Sequence, residues 1–339
     1  MISSKELVLS TLEFRNTEGR IPRQLWWLPW AQDHYPDIMK KLSNDFEWDF
    51  DYPEVILTQT PIIKGDPHAV GGYTDEWGCV FININKGVMG EAKQPLVQDD
   101  EWNDADKIHI PEEMLSFDIW QINASCANKK EKFLFGSCCP RPFEQLQFIR
   151  GTENLYMDLM DPPVGMLQFI EKMHDFYCRQ LIKWAKTDVD ALNIMDDWGS
   201  QNDLLINPKI WEKLFMPLYK EYIEIAHSHG KKIFMHSDGN ILRILPKLIE
   251  LGLDAINCQI FCMGIDKLSS QYKGKITFWG EIDRQNLIPY AGTEEIDMAV
   301  QQVFNAFWNN GGCIAQCEFG IGANPNNIYR IYEKWASLR

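Results

Sequence analysis

No stretch of eighteen uninterrupted apolar residues occurs in the sequence, so no membrane-spanning helix is expected. Basic residues are in short supply too. Lys and Arg number 33 against 48 Asp and Glu, a formal charge of −15. That balance argues against a nucleic-acid binder, whose footprint is a basic patch. The nine cysteines contain no CxxC pair and no zinc-finger spacing. The first residues, MISSKELVLSTLEFRN, place Glu6 and Glu13 inside an apolar periodicity, as in an amphipathic helix and unlike a signal peptide. The cysteines are therefore expected to be thiols in a reducing compartment, the cytoplasm, and mostly buried as small hydrophobes. Repeats, low-complexity tracts and Pro/Gly/Ser linkers are also absent.

What is present is an ordinary globular composition, 45% hydrophobic and 24% charged, rich in Trp (13) and Phe (18). Short apolar strands alternate with long helical patterns. Helical periodicity runs over 165–187 and 208–229, with shorter cases at 241–251 and 293–309. Between these, strands are expected at 25–28, 55–58, 132–137, 191–197, 232–239, 255–259, 276–283 and 313–318. Eight strands mostly joined by helices predict an α/β fold, a (β/α)8 TIM barrel preceded by an N-terminal helical segment. A doubly wound open sheet is the structural alternative. The rhythm breaks between strands two and three, where about 62–128 reads as a lid-like insertion within a single domain spanning 1–339.

Barrel active sites form at the C-terminal strand ends. Those ends carry Asp196 and Asp197 (strand four), His236 and Asp238 (five), and Cys258 and Gln259 (six). Strand seven adds Glu281 and Asp283, and strand eight adds Cys317 and Glu318. In the stretch FMHSDGN (234–240), His236 and Asp238 stand two apart and so share one strand face. A histidine, a thiolate and carboxylates at one mouth suit a divalent metal, and nitrogen plus sulfur favours zinc. A satisfied core histidine is the bland alternative for His236 alone. His227 and His229 precede a Gly at a helix end and are expected to be structural. For the adjacent Cys138 and Cys139, packing is expected. DPHAVG (66–71) fits a cobalamin-binding DxHxxG pattern through His68, but no doubly wound sequence surrounds it, and it is read as a chance match.

Several segments together carry a family resemblance: DEWG (75–78), RG (150–151) with Asp158, MDDWGSQNDLLINPKIWEKLFMP (195–217), AHSHGKKIFMHSDGN (226–240), FWGEID (278–283) and GGCIAQCEFGIGANPNNI (311–328). In order and spacing the chain resembles the uroporphyrinogen decarboxylase-like superfamily, and within it the corrinoid-dependent methyltransferases. The resemblance implies a (β/α)8 barrel. It is poorer for the decarboxylase itself, whose arginine-rich loop should fall near QLWWLPWAQDHYP (24–36), where no arginine stands. A substrate with eight carboxylates needs cationic partners. The methyltransferases carry zinc on a His-x-Cys at strand five and a Cys on strand eight. His236 and Cys317 match; Asp238 stands where the thiol-methylating members have cysteine. A carboxylate in place of a thiolate leaves zinc a harder Lewis acid, suited to a departing oxyanion.

The resemblance and this departure imply an O-demethylase component. It would pass a methyl group from a methoxylated aromatic substrate to the cob(I)alamin of a separate corrinoid protein. Zinc would be held by His236, Asp238, Cys317 and Glu281, with His236, Asp238 and Cys317 as the catalytic set. Trp26, Trp27, Trp30 and Trp198 are expected as walls for an aromatic ring, and Asp196, Asp197 and Gln201 as partners for its hydroxyls. Alternatives are another methyl donor (a methylamine, methylthiol or methyl halide), a decarboxylase needing no metal, or a non-enzymatic binding barrel.

Overall fold

The computed structural model describes residues 2–338. Among the described residues eleven strands follow in chain order: β1 (Arg23–Trp27), β2 (Phe50–Asp51), β3 (Gly71–Thr74), β4 (Val80–Asn83), β5 (Glu91–Gln94), β6 (Phe133–Leu134), β7 (Ala191–Met195), β8 (Lys232–Ser237), β9 (Ala255–Cys258), β10 (Thr277–Trp279) and β11 (Cys313–Phe319). Six form one parallel sheet in the order β1-β11-β10-β9-β8-β7, and β2 pairs with β6 in a separate parallel ladder. The two ladders approach each other without merging. A single parallel bridge joins Phe135 to Ala191, and the Asp49 N–H donates to the Arg23 carbonyl at 3.0 Å. The result is an α/β, TIM-barrel-like arrangement whose ladder is not closed among the described residues.

Alternation along the strands separates two apolar layers. Phe50, Phe133, Phe135, Phe234, Trp279 and Ile314 form the inner cluster, joined by Val8 and Leu12 of the helix Ser4–Leu12. That helix starts with a reciprocal cap between Ser3 and Glu6. Its end receives the Gly312 N–H on the Thr11 carbonyl, next to the start of β11, so it covers the N-terminal end of the sheet. The C-terminal strand ends stay available for a site. The outer layer lies between strands and surrounding helices, the longest being Val164–Ala185.

Two expectations need correction. The second strand is Phe50–Asp51 and not 55–58, where Val55 and Ile56 are exposed and Leu57 makes only an isolated antiparallel bridge to Phe117. The apolar run was the wrong signal there, because a two-residue strand carries no periodicity. The helical pattern at 208–229 is two helices, Pro208–Leu214 and Met216–Ser228, since Pro217 lacks the N–H needed to continue the first. Between β2 and β6 the chain forms an antiparallel three-stranded sheet, β3-β4-β5. Among the described residues no helix is long and apolar enough to cross a membrane. All nine cysteines are free.

Candidate metal and substrate site

β8 delivers His236 with its ring on the inner face, and its register partner on β9 is Asn257. The Asn257 Oδ1 lies 2.7 Å from His236 Nδ1. The amide's other end is committed as a donor, to the Trp279 carbonyl and to Gln316 Oε1 at 3.0 Å. With Asn257 oriented in this way, only its oxygen can face the ring. Nδ1 is then the donor to Asn257, and Nε2 is the ring nitrogen left to face the mouth. Nε2 looks at two carboxylates, Asp197 at 3.5 Å and Asp238 at 3.6 Å.

Donor atoms of Asp197, His236 and Asp238 all lie within 4.8 Å of one another, a spacing that can hold a metal ion. The donor chemistry fits. Asp238 Oδ1 is buried without a hydrogen-bond partner, a costly state for a carboxylate oxygen unless a cation meets it. Asp197 is held in place by the Asp238 N–H at 2.8 Å, and its carboxyl is raised by burial and by Asp238. The turn after Asp238 explains the Gly that follows. Gly239 has a φ of +76°, and a Cβ there would fall 2.0 Å from the Gly199 carbonyl oxygen.

Arg284 bridges the remaining acids, pairing with Asp238 and, at 3.1 Å, with Glu318. Glu281 is buried nearby, lining with Arg284 and Gln201 a small cavity of about 250 Å³. Burial pushes its carboxyl up to about 8, with Arg284 opposing. It does not join the group around His236 Nε2.

Cys317 is not brought to the mouth. Its register partner is Leu25, on the outer face, whereas Trp26 and Glu318 are partners on the inner face. Its thiol meets the Tyr332 hydroxyl at 3.5 Å, is fully buried, and is pushed by that burial up to about 12. The expected zinc ligand is thus a packed neutral thiol one residue out of phase, and the inward acid is Glu318. The phase of β11 is fixed on the other side as well: Gln316 faces inward to Asn257, so 318 shares its side and 317 does not.

The tryptophans divide in the same way. Trp26 lies 5.2 Å from the His236 ring and 4.9 Å from Trp279, so the structure places it beside His236. Trp27 points outward and is 48% exposed. Trp30 stacks on His34 and donates its backbone N–H to the carbonyl of Gly87, in the turn between β4 and β5. Trp198 is 0% exposed, stacked on Phe143 at 4.1 Å with its N–H on the Tyr219 hydroxyl. It is core and cannot touch a substrate. Asp196 is likewise structural. It accepts the Phe143 and Glu144 N–H groups at 3.0 and 2.8 Å, capping the helix Pro142–Arg150, together with the Tyr219 hydroxyl. Burial raises its carboxyl to about 7. Gln201 is exposed on the rim.

Several motifs singled out in the sequence are scaffold. Asp75 of DEWG accepts the Trp77 and Cys79 N–H groups in the turn between β3 and β4, and Arg150 pairs with buried Asp158. His68 sits in a turn whose N–H is held by Asp66. His227 pairs with Asp254, and His229 with the Ile225 carbonyl at its helix end. Residues missed by the sequence reading are Asn257, Arg284, Glu318 and, in a second cavity at the ends of β6 and β7, Arg141 and Gln180.

The fold is similar to that of a solved structure described as a methyltransferase from Methanosarcina mazei. The TM-score is 0.67 at 11% identity, over 99% of this chain and 98% of that one. A likeness to a D-psicose 3-epimerase studied with D-fructose is slight, with a TM-score of 0.38 at 12% identity over 66% of this chain and 83% of that one. No curated protein matches the chain. The family model for uroporphyrinogen decarboxylase (URO-D) matches residues 85–333, well over half of the sequence. The chain belongs to the uroporphyrinogen decarboxylase family.

Proposed function

We propose that the protein is a zinc-dependent methyltransferase of an O-demethylase system, built on a single (β/α)8 barrel domain. It moves the methyl group of a methoxylated aromatic substrate to the cob(I)alamin of a separate corrinoid protein in the cytoplasm. The observation that carries this reading is the His236 group: Nε2 set beside two carboxylates, one with an unpartnered buried oxygen. Likeness over nearly the whole chain to a structure described as a methyltransferase supports the reaction class.

Zinc would be held by His236, Asp238 and Asp197, and would supply a Lewis acid for the ether oxygen. Without a thiolate in the set, the donors are nitrogen and oxygen, which suits an oxygen leaving group. The C–O bond breaks with its electron pair remaining on the phenolate, and the methyl carbon bonds to the reduced cobalt. The chain's own residues prepare the step. Asn257 fixes the tautomer of His236, and Trp26 stands beside that ring as an apolar wall. Arg284 pairs with both Asp238 and Glu318. The inserted sheet β3-β4-β5 reaches the β1 end through the contact of Gly87 with Trp30, and we read it as a lid.

The test mixes the zinc-loaded protein with cob(I)alamin and 4-hydroxy-3-methoxybenzoate and follows methylcobalamin by visible spectroscopy. Formation that is lost in His236→Ala is expected; no transfer across a panel of methyl ethers, methylamines and methylthiols refutes it. The family's eponymous activity, porphyrinogen decarboxylation, is disfavoured by β1 and its following helix, where no Lys or Arg stands between Arg23 and Lys40.

A further inference from the structure

A second group of ligand-type side chains lies away from the mouth, between the helices Val164–Ala185 and Met216–Ser228, which pack on each other and on β7 and β8. His174 and Cys178 stand four residues apart on the first helix, so they share one face. Glu221 comes from the second helix. Cys178 Sγ is 3.6 Å from His174 Nε2, and Glu221 Oε2 is 2.9 Å from the same nitrogen. Among the described residues, only this group and the one around His236 bring three such donor atoms within 4.8 Å of one another. The sheet separates the two groups, since His236 turns to its inner face and these helices cover its outer one.

The spacing suits a small tetrahedral ion. Zinc bonds of about 2.0–2.1 Å to nitrogen and about 2.3 Å to sulfur set those two ligands roughly 3.5 Å apart. A carboxylate oxygen belongs roughly 3.3 Å from the nitrogen, so Glu221 would withdraw by a few tenths of an ångström. Its side chain is 56% exposed and has room to do so. Cys178 is buried and His174 only partly so, which leaves a fourth position on the solvent side for water. No Lys or Arg answers Glu221, whose ion-pair partner among the described residues is His174. The Tyr222 hydroxyl lies 3.1 Å from His174 Nδ1. With an ion on Nε2, the ring proton sits on Nδ1, the Tyr222 oxygen accepts it, and the thiol proton passes to solvent. His109, His227 and His229, by contrast, meet a carboxylate or a carbonyl and no thiol.

From this geometry we propose that His174, Cys178 and Glu221 bind a second zinc ion, a structural clasp between the two helices. Nitrogen, sulfur and oxygen donors on facing helices favour zinc over magnesium or calcium. The clasp takes no part in methyl transfer, and it stands or falls independently of the methyltransferase reading.

Cobalt(II) occupies zinc sites and reports a thiolate ligand by a charge-transfer band in the near ultraviolet, so it tests the clasp on the full, metal-stripped chain. Saturation should give about two ions per chain together with that band. The band should persist in His236→Ala and in Cys317→Ala, and vanish in Cys178→Ser, which keeps the other ion. Zinc at about 100 times its dissociation constant should raise the melting temperature of His236→Ala by a few degrees, and should not do so once Cys178→Ser is added. The zinc affinity and zinc-edge spectrum of the His236 centre are accordingly read in the Cys178→Ser background, where sulfur from the clasp cannot contribute. Absence of the thiolate band in the unaltered protein, or a band that needs roughly millimolar cobalt, overturns the inference without requiring any variant to fold. So does a band that survives in Cys178→Ser or is lost in Cys317→Ala.

Discussion

Replacing Asn257 by leucine should separate metal affinity from fold stability in a way that identifies what this residue does. Asn257 Oδ1 is the partner of His236 Nδ1 at 2.7 Å, while its amide nitrogen serves the Trp279 carbonyl and Gln316. Leucine keeps the volume and removes all three bonds. Loss of the acceptor frees His236 to change tautomer or rotate, and removal of such an outer partner typically weakens metal binding about 10- to 100-fold. That corresponds to about 1.4–2.7 kcal/mol of binding free energy. The orphaned carbonyl and Gln316 oxygen cost the fold a further ~1–3 kcal/mol each at most. Asn257→Asp gives the contrast: it keeps an acceptor for Nδ1 and loses only the donors. Zinc affinity, measured by competition with a chromophoric chelator, should fall in the leucine variant and stay within a few-fold in the aspartate one. Thermal unfolding of the metal-free proteins should show both destabilised. Equal zinc affinities in the leucine variant and the unaltered protein would refute the role given to Asn257.

Other substitutions probe the remaining assignments. Cys317→Ala should leave the zinc content unchanged and lower stability by only about 1 kcal/mol, read by metal analysis and chemical unfolding, since the thiol is packing against Tyr332. Trp198→Leu should cost about 3 kcal/mol or more in unfolding experiments while leaving ligand affinity intact, because the ring is wholly within the core. Arg284→Met should strengthen zinc binding, roughly tenfold in a chelator competition, by removing a cation that competes for Asp238. Glu281 has its carboxyl raised from 4.5 to about 8, so its ionisation opposes folding. The stability of the metal-free protein should therefore fall as pH rises across that window, by at most about 1.4 kcal/mol per pH unit from this group. Glu281→Gln should flatten that part of a stability-versus-pH curve.

How much of this was legible in the sequence depended on period and length. Strands β7, β8, β9 and β11 are long enough, and buried enough, to read as continuous apolar runs, and they lie where expected. β2 is a two-residue pairing defined by its neighbours, and no local pattern marks it, whereas β6 falls inside the expected run at 132–137. The structure brings His236 and Asp238 side by side, as their spacing of two implied, because that spacing is local information. Cys317 was misplaced because the phase of β11 is set by its pairing with β1, which joins Leu25 to Cys317 and Trp26 to Glu318. Asp196 and Trp198 were misjudged for the same reason. The alternation continues past Met195, so Asp197 faces the mouth while its two neighbours turn to Phe143 and Tyr219. Arg141 and Gln180 lie far apart in sequence on separate elements, and only the tertiary fold gives them one cavity.

X-ray absorption at the zinc edge of the metal-loaded protein tests the central claim most directly, that His236 and two carboxylates form the metal site. A shell of nitrogen and oxygen at about 2.0–2.2 Å, with a histidine signature abolished in His236→Ala, is the expected result. A sulfur ligand at about 2.3 Å would contradict it, because it would bring Cys317 back to a mouth from which its strand register excludes it.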